Sequence, residues 1–297
     1  MVRSRIAPTP SGYLHIGNAI NFVLTWLWVR RQSGTLRLRI DDLDTTRTRP
    51  EYIEDIFETL HWLGLTWDEG PQTPDEHRAH FAQHLHSQRY AALINQLIDT
   101  GKVFASTTSR AQVAAGYAAD IVTGLSLSTP DTALRIITPN PCIVNVPDIQ
   151  AGQLQVNLHD AMPHFIIRRR DSIAAYQVAS LADDIHHGIN LIIRGSDLLP
   201  STAAQLYLAQ LTSAGNFINC RFYHHPLITD KAGNKLSKSA GSVSLNAWRA
   251  GDSKPDKFYK YMGNVLGFKH TVNSANEMLR LVMESEGPII TDGNIVM

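Results

Sequence analysis

Two short segments, far apart in the chain, carry side chains suited to a polyphosphate. The first is Pro8-Thr9-Pro10-Ser11-Gly12-Tyr13-Leu14-His15-Ile16-Gly17-Asn18, where a predicted strand turns sharply into a predicted helix. A helix start offers free backbone N–H groups and the positive end of the peptide dipole to an anion. Gly17 lets a phosphate or purine approach the backbone closely. His15 can donate a hydrogen bond to a phosphate oxygen whose charge grows in a transition state. The second segment is Gly233-Asn234-Lys235-Leu236-Ser237-Lys238-Ser239. Two lysines three apart on a glycine-bearing loop can neutralise pyrophosphate as it leaves. Each segment alone has a plainer reading, a common His-Ile-Gly or a solvated lysine pair. The chain lacks the Gly-x-x-x-x-Gly-Lys-Ser/Thr loop, so P-loop phosphate binding is excluded.

The elements that must position these residues read as strand–helix alternation. Residues 2–7 and the alternating Leu36, Leu38 and Ile40 predict strands. Between them, Ile20, Val23, Leu24 and Leu27 keep a helical period that Gly34 stops. A helix opens at Pro50 with Ile53, Ile56, Phe57, Leu60 and Leu63 as its stripe, and another covers Ser87–Thr100. Residues 105–160 turn rich in Ala, Ser and Thr, with β-like patches at Ala133–Ile137 and Gln153–Leu158. Helical patterning returns at Ser172–Asp184, then a strand at Ile189–Ile193 and a helix at Ser201–Leu211. Asp256–Met262 and Asn273–Met283 predict the last helices. Alternation on both sides of an insertion predicts an α/β fold with a mostly parallel sheet.

Together, in this order and at this separation, the two phosphate segments resemble the HIGH and KMSKS signatures of class I aminoacyl-tRNA synthetases. Further blocks resemble the glutamyl and glutaminyl branch: Arg5-Ile6-Ala7-Pro8-Thr9-Pro10-Ser11-Gly12, Arg39-Ile40-Asp41-Asp42-Leu43-Asp44-Thr45-Thr46-Arg47, Phe165 to Asp171 with Ala175-Tyr176-Gln177 and Asp183-Asp184, and Ile193-Arg194-Gly195-Ser196-Asp197-Leu198-Leu199. The resemblance implies a class I Rossmann-like catalytic domain over residues 1–100 and 171–228. It also implies an inserted α+β, RNA-contacting domain of the acceptor type over 101–170, and a short mixed segment at 229–297 that contains the lysine loop. His15, Gly17, Lys235 and Lys238 would be catalytic. Pro8, Thr9, Asn18 and Ser237 would join them around ATP, with Mg²⁺ on the phosphates.

A glutamate substrate brings two carboxylates and an ammonium. Arg5 and Arg194 can each offer a guanidinium fork to a carboxylate, and Tyr176 can donate to the same group. Asp41 can hold the ammonium, and Ala7 and Thr9 would line the pocket. By family analogy, Arg5 and Tyr176 take the side-chain carboxylate and Arg194 the α-carboxylate. The arginines could instead bridge structural carboxylates, as strand-end arginines often do. The run Asp41–Asp44 is no metal site in this reading, because one stretch without converging partners rarely binds metal. The branch carries glutamate where this chain has Asp41, which reaches one methylene less.

Only 297 − 238 = 59 residues follow Lys238, too few for an anticodon-binding domain of about 100 residues. This resembles the glutamyl-queuosine tRNA(Asp) synthetases, truncated relatives of the glutamyl enzymes. The resemblance implies glutamyl-adenylate formation, then transfer to queuosine at the wobble position of tRNA(Asp). Charging the 3′ end of tRNA(Glu), or a catalytically silent binding paralogue, stays open as an alternative. Many such relatives carry a Cys-x-Cys … Tyr … Cys zinc site in the insertion. Here Ser106 and Thr108 stand where thiolates would be, so no structural zinc is predicted and apolar packing alone must hold the insertion. The pairs His186-His187 and His224-His225 lack ligand spacing.

The bulk numbers exclude more than they suggest. Lys plus Arg equals Asp plus Glu at 27 each, so no global charge points to nucleic acid; a local basic surface must supply any RNA contact. The two cysteines form no CxxC pair and predict buried thiols. With no apolar signal core or membrane-length run, the reading is a cytoplasmic, membrane-free monomer.

Overall fold

A computed structural model describes residues 1–114, 124–229, 244–251, 254–285, 289 and 295–296. The chain divides into two compact units, one of Met1–Leu85, Leu191–Ser196 and Tyr223–Met297, the other of His86–Asn190 and Asp197–Phe222.

The first unit opens with β1 (Arg3–Ile6), α1 (Ile16–Arg31) and β2 (Thr35–Leu38). β1 and β2 are parallel, in register from Arg3 opposite Thr35 to Ile6 opposite Leu38, and α1 crosses between them and packs on both. Eleven consecutive or near-consecutive α1 residues, Ile16 to Val29, are buried, so apolar side chains occupy most of its circumference, as a core helix requires. The ladder outlasts the strands. Arg39 N donates to Ile6 O and Asp41 N to Pro8 O, both at 2.9 Å. α2 (Pro50–Trp62) starts on Pro50, whose missing N–H costs nothing at a helix start. Residues 68–70 then run parallel to β2, and Gly70 is required there: φ is +98°, and a Cβ would sit 2.1 Å from Leu38 O. A single turn, α3 (Pro74–Glu76), and a π-type turn at His77–Phe81 follow.

The second unit begins with α4 (Ser87–Asp99). β3 (Val103–Ser106), α5 (Arg110–Ala114), β4 (Ala133–Ile136), β5 (Ile143–Asp148), β6 (Gly152–Asn157), α6 (Leu158–Ala161), β7 (Ile166–Arg168) and α7 (Tyr176–His186) follow in order. β3, β4 and β7 form one antiparallel sheet, and β5 and β6 an antiparallel hairpin turning at Gly152, φ +75°. The helix predicted from Ser172 begins only at Tyr176. Ser172 takes a left-handed φ of +64°, and Arg169 N bonds back to Ile173 O at 2.8 Å, folding the preceding residues into a turn.

β8 (Leu191–Gly195) returns to the first unit alongside β1 and under α1. α8 (Leu199–Leu211) and α9 (Gly215–Ile218) belong to the second unit, where α8 packs on α7 and β5. β9 (Arg221–His225) places Phe222 parallel to Asp148 of that unit, and its last three residues belong to the first. The first unit closes with β10 (Ile228–Thr229), α10 (Leu245–Gly251), α11 (Asp256–Val265), α12 (Ala275–Glu284) and β11 (Ile295–Val296). β11 pairs with β10 in parallel. α12 packs on α1, and Trp28 Nε1 donates to Ile289 O at 3.0 Å.

Residues 86–100, 171–190 and 197–222, drawn from sequence into the nucleotide half, cluster with the insertion instead. Within that unit the buried Asp183 carboxylate holds α4 to α7 through Arg89 Nη1 at 2.5 Å and the Tyr90 hydroxyl at 3.0 Å.

Apolar packing alone does not hold the insertion. Arg135, 1% exposed in the middle of β4, donates Nη1 to His164 O at 2.8 Å and Nη2 to Thr108 O at 2.7 Å. It thereby ties the end of β3 to the turn before β7. Ser106 Oγ accepts Thr108 N at 3.1 Å, so both residues at the expected thiolate positions serve this polar staple. Thr138 extends it, with its N–H on His164 Nδ1 at 3.2 Å and its carbonyl on His159 Nδ1 at 2.8 Å.

Arg135→Met is expected to destabilise the second unit by about 2–4 kcal/mol, since two carbonyls lose a charged donor; the shift in urea midpoint measures it. His164 adds a pH dependence. Burial first, then His159 and Arg135, hold its pKa below the ordinary 6.5. A depressed histidine stabilises the fold fully above its unfolded value, and that contribution fades as pH falls from about 6.5 toward the folded value. Wild type should therefore lose more stability between pH 7.5 and 5.5 than His164→Asn, read from paired denaturation curves.

Candidate active site

Most of the predicted site residues fall in the first unit, at the carboxyl ends of its parallel strands, where open α/β sheets bind ligands. The ladder step from Asp41 N to Pro8 O lays the Ala7–Pro8–Thr9 segment directly against the loop that carries Asp41. Arg5, on β1, is 6% exposed, and Arg194, on the adjacent β8, is 3% exposed. Two guanidiniums buried on neighbouring strands are costly unless paired with anions. Asn21 of α1 fixes β8 at the residue before Arg194, because its Nδ2 donates to Ile193 O at 3.2 Å. The same amide lies 3.3 Å from His225 Nε2, and His225 Nδ1 lies 2.9 Å from Pro226 O. His225 is thus a buried part of the scaffold.

Asp41 is already forked onto a cation. Arg39 Nε and Nη2 reach its two carboxylate oxygens at 2.6 and 3.2 Å, and both side chains are buried. A carboxylate has about four lone-pair directions, so Asp41 can still accept from an ammonium, but it does so as half of an ion pair. The loop is pinned one residue on. Asp42 takes His77 Nε2 at 2.9 Å and Gln83 N at 2.8 Å, while Leu43 N donates to Gln83 Oε1 at 3.0 Å.

His15 is the N-cap of α1. Its Nδ1 accepts Gly17 N at 3.1 Å, and Asn18 Oδ1 accepts His15 N at 3.0 Å, a reciprocal capping box. The N–H groups of Asn18 and Ala19 both turn back onto His15 O. Free N–H groups were expected at this helix start, but those of Gly17 and Asn18 are taken by His15. The cap offers something else. An Nδ1 that accepts must be unprotonated, so the neutral ring carries its proton on Nε2 and is a donor at that edge.

Lys235, Ser237 and Lys238 lie outside the described residues. The chain just after them does not: Ser244 forms an antiparallel β-bridge with His15, and Leu245 N donates to Leu14 O at 2.9 Å. Tyr176 opens α7 in the second unit and is 41% exposed. The sequence reading missed Asp55 and Arg249. Asp55 Oδ2 accepts Leu14 N at 2.8 Å, and Asp55 Oδ1 lies 3.0 Å from Arg249 Nη2. Nothing local in either stretch signals this long-range pair.

The model of the tRNA synthetases class I (E and Q), catalytic domain, matches residues 1–120 and 122–284. The chain belongs to the class I (E and Q) tRNA synthetase family. As a class I synthetase it is a ligase acting in aminoacyl-tRNA formation, and its sheet is the Rossmann-like one of that class. Among similar proteins, a glutamyl-Q tRNA(Asp) synthetase of Nitratidesulfovibrio vulgaris is 33% identical, the match covering 84% of this chain and 81% of that one. Another, from Pseudomonas aeruginosa, is 36% identical, with 83% and 80% covered. A crystal structure of a glutamate tRNA ligase from Elizabethkingia meningosepticum superposes with a TM-score of 0.78 over 99% of this chain and 66% of that chain; at 24% identity, it bears on the fold alone. No described helix of this synthetase is long and apolar enough to cross a membrane.

The cap assignment is testable through stability alone. His15→Ala should cost about 1 kcal/mol, while His15→Asn, a strong N-cap residue, should return most of it; thermal melts of the three proteins decide.

Proposed function

We propose that this synthetase activates L-glutamate with ATP and transfers it to queuosine at the wobble position of tRNA(Asp). The observation that carries the reading is the pair of buried guanidiniums, Arg5 and Arg194, on two strands that both pack against α1, the helix that His15 caps. The two glutamyl-Q tRNA(Asp) synthetases, similar over four-fifths or more of either chain, support the choice of amino acid and acceptor.

In this reading Arg194 takes the α-carboxylate and Arg5 the side-chain carboxylate. The Arg39–Asp41 pair meets the ammonium through its remaining lone pairs. The pocket includes Ala7 and Thr9, and Pro8, Gly17, Asn18 and Ser237 border ATP. An α-carboxylate oxygen attacks the α-phosphorus, the bond to the bridging oxygen breaks, and pyrophosphate departs with the electron pair. The nucleophile is already charged, so no general base is needed and catalysis is positioning plus electrostatics. His15 donates from Nε2 to a phosphate oxygen, and Lys235 and Lys238 neutralise the leaving pyrophosphate. Mg²⁺ would sit on the phosphates and supply further charge neutralisation; among the described residues, no three His, Cys, Asp or Glu side chains gather to hold a metal ion. In the second step a hydroxyl of the queuosine ring attacks the acyl carbon and expels AMP, whose phosphate can take the hydroxyl proton.

Glutamate-dependent ATP–pyrophosphate exchange should proceed without tRNA and fall about 10²–10³-fold in Lys238→Ala with little change in the KM for glutamate. Labelled glutamate should then appear on queuosine-containing tRNA(Asp). Label at the 3′ end of tRNA(Glu) would replace the acceptor in this reading, and no exchange would end it.

A further inference from the structure

α2 buries a carboxylate among mostly apolar residues. Asp55 is 2% exposed beside Ile53, Ile56 and Phe57. Such a group is stable only when its oxygens are paired, and both partners of Asp55 belong to chain segments of the candidate active site. Oδ2 accepts the N–H of Leu14, the residue before His15, at 2.8 Å. Oδ1 faces Arg249 Nη2 at 3.0 Å. Arg249 stands on α10, the helix that begins at Leu245, a few residues after Lys238. Arg249 is itself over-determined: Nη1 also meets Thr59 Oγ1, and Nη2 meets Glu58 Oε2 at 2.7 Å. The two partners of Asp55 touch each other as well, through Leu245 N on Leu14 O at 2.9 Å and the bridge between His15 and Ser244. The circuit is closed: α2 to the His15 turn, the His15 turn to the start of α10, and α10 back to α2.

We propose that Asp55 is a positioning residue for adenylate formation, a single carboxylate that holds the His15 turn and the segment emerging from the lysine loop in one frame. This rests on reading His15 and Lys238 as the partners of the phosphates. An apolar residue at position 55 could neither accept the Leu14 amide nor pair with Arg249. Displacements of about 1 Å between groups that share a transition state can cost about 10²-fold in rate. The rate therefore depends on a side chain that touches no substrate.

The test is glutamate-dependent ATP–pyrophosphate exchange on the full chain with Asp55→Asn, Lys238→Ala and the double variant. Asparagine still accepts from Leu14 N but no longer pairs with Arg249. In Asp55→Asn, kcat should fall about 10–10²-fold, with the KM for glutamate changed by less than about threefold and the thermal midpoint still a single cooperative transition. In the Lys238→Ala background the same substitution should cost less than about threefold, because it acts through the geometry that Lys238 exploits. Unchanged kcat in Asp55→Asn, or its full cost repeated on top of Lys238→Ala, overturns the proposal. Exchange unaffected by Lys238→Ala alone overturns the reading beneath it, a different result. Should Asp55→Asn not fold, Arg249→Gln, which breaks the same ion pair from the α10 side, must show the same split between kcat and KM and the same non-additivity, or the proposal fails.

Discussion

The first unit depends on a parallel ladder that continues after its strands have ended. β1 and β2 pair over four residues, and two further backbone bonds carry the register on to Pro8 and Asp41. Beyond that point the chain on one side turns into the His15 cap and on the other into the loop pinned by Asp42, His77 and Gln83. A slip of one residue would turn every side chain along the ladder to the opposite face. It would move Arg5 away from the side it now shares with its neighbours and break the Asp41–Pro8 contact. Gly70, which alone can pass this close to the Leu38 carbonyl, guards the same register from the far side of β2.

The interior around that ladder is unusually charged for a chain of zero net charge. Arg5, Arg39, Asp41, Asp42, Asp55 and Arg194 are all buried. Buried ion pairs give little net stability, because desolvation offsets most of the attraction, but removing one partner is costly. Such pairs therefore fix geometry more than they add strength. Arg39 with Asp41 stiffens the stretch just after β2, and Arg249 with Asp55 joins α10 to α2; the His77–Asp42 contact ties the loop after β2 to the turn at His77. The second unit follows the same logic, with Asp183 joining two helices and Arg135 joining two strands.

Much of this was legible in the sequence. The regular elements near the site followed from period and punctuation: α1 from its apolar repeat and the Gly34 stop, α2 from Pro50, β1 from the Pro/Gly-rich turn that ends it, β2 from alternation. The pairing of the Pro8 and Asp41 segments followed from no local pattern. What stayed hidden lies in long-range polar contacts. Asp55 looks like any helix-surface acid until Leu14 and Arg249 converge on it from 41 residues before and 194 after. Arg135, read only as part of a β-like patch, turns out to be a staple. The start of α7 was placed four residues early, because Ser172 gives no sign of its left-handed turn. The helix-start amides were expected to be open, since sequence cannot show that a histidine will spend its own lone pair on Gly17.

That last detail gives the His15 ring two edges with opposite duties. One lone pair is committed inward to the backbone, and one proton is turned outward. With its Nδ1 held on Gly17, the ring cannot swing about its side-chain bonds without uncapping α1, so the bond that starts the helix also aims the opposite edge of the imidazole.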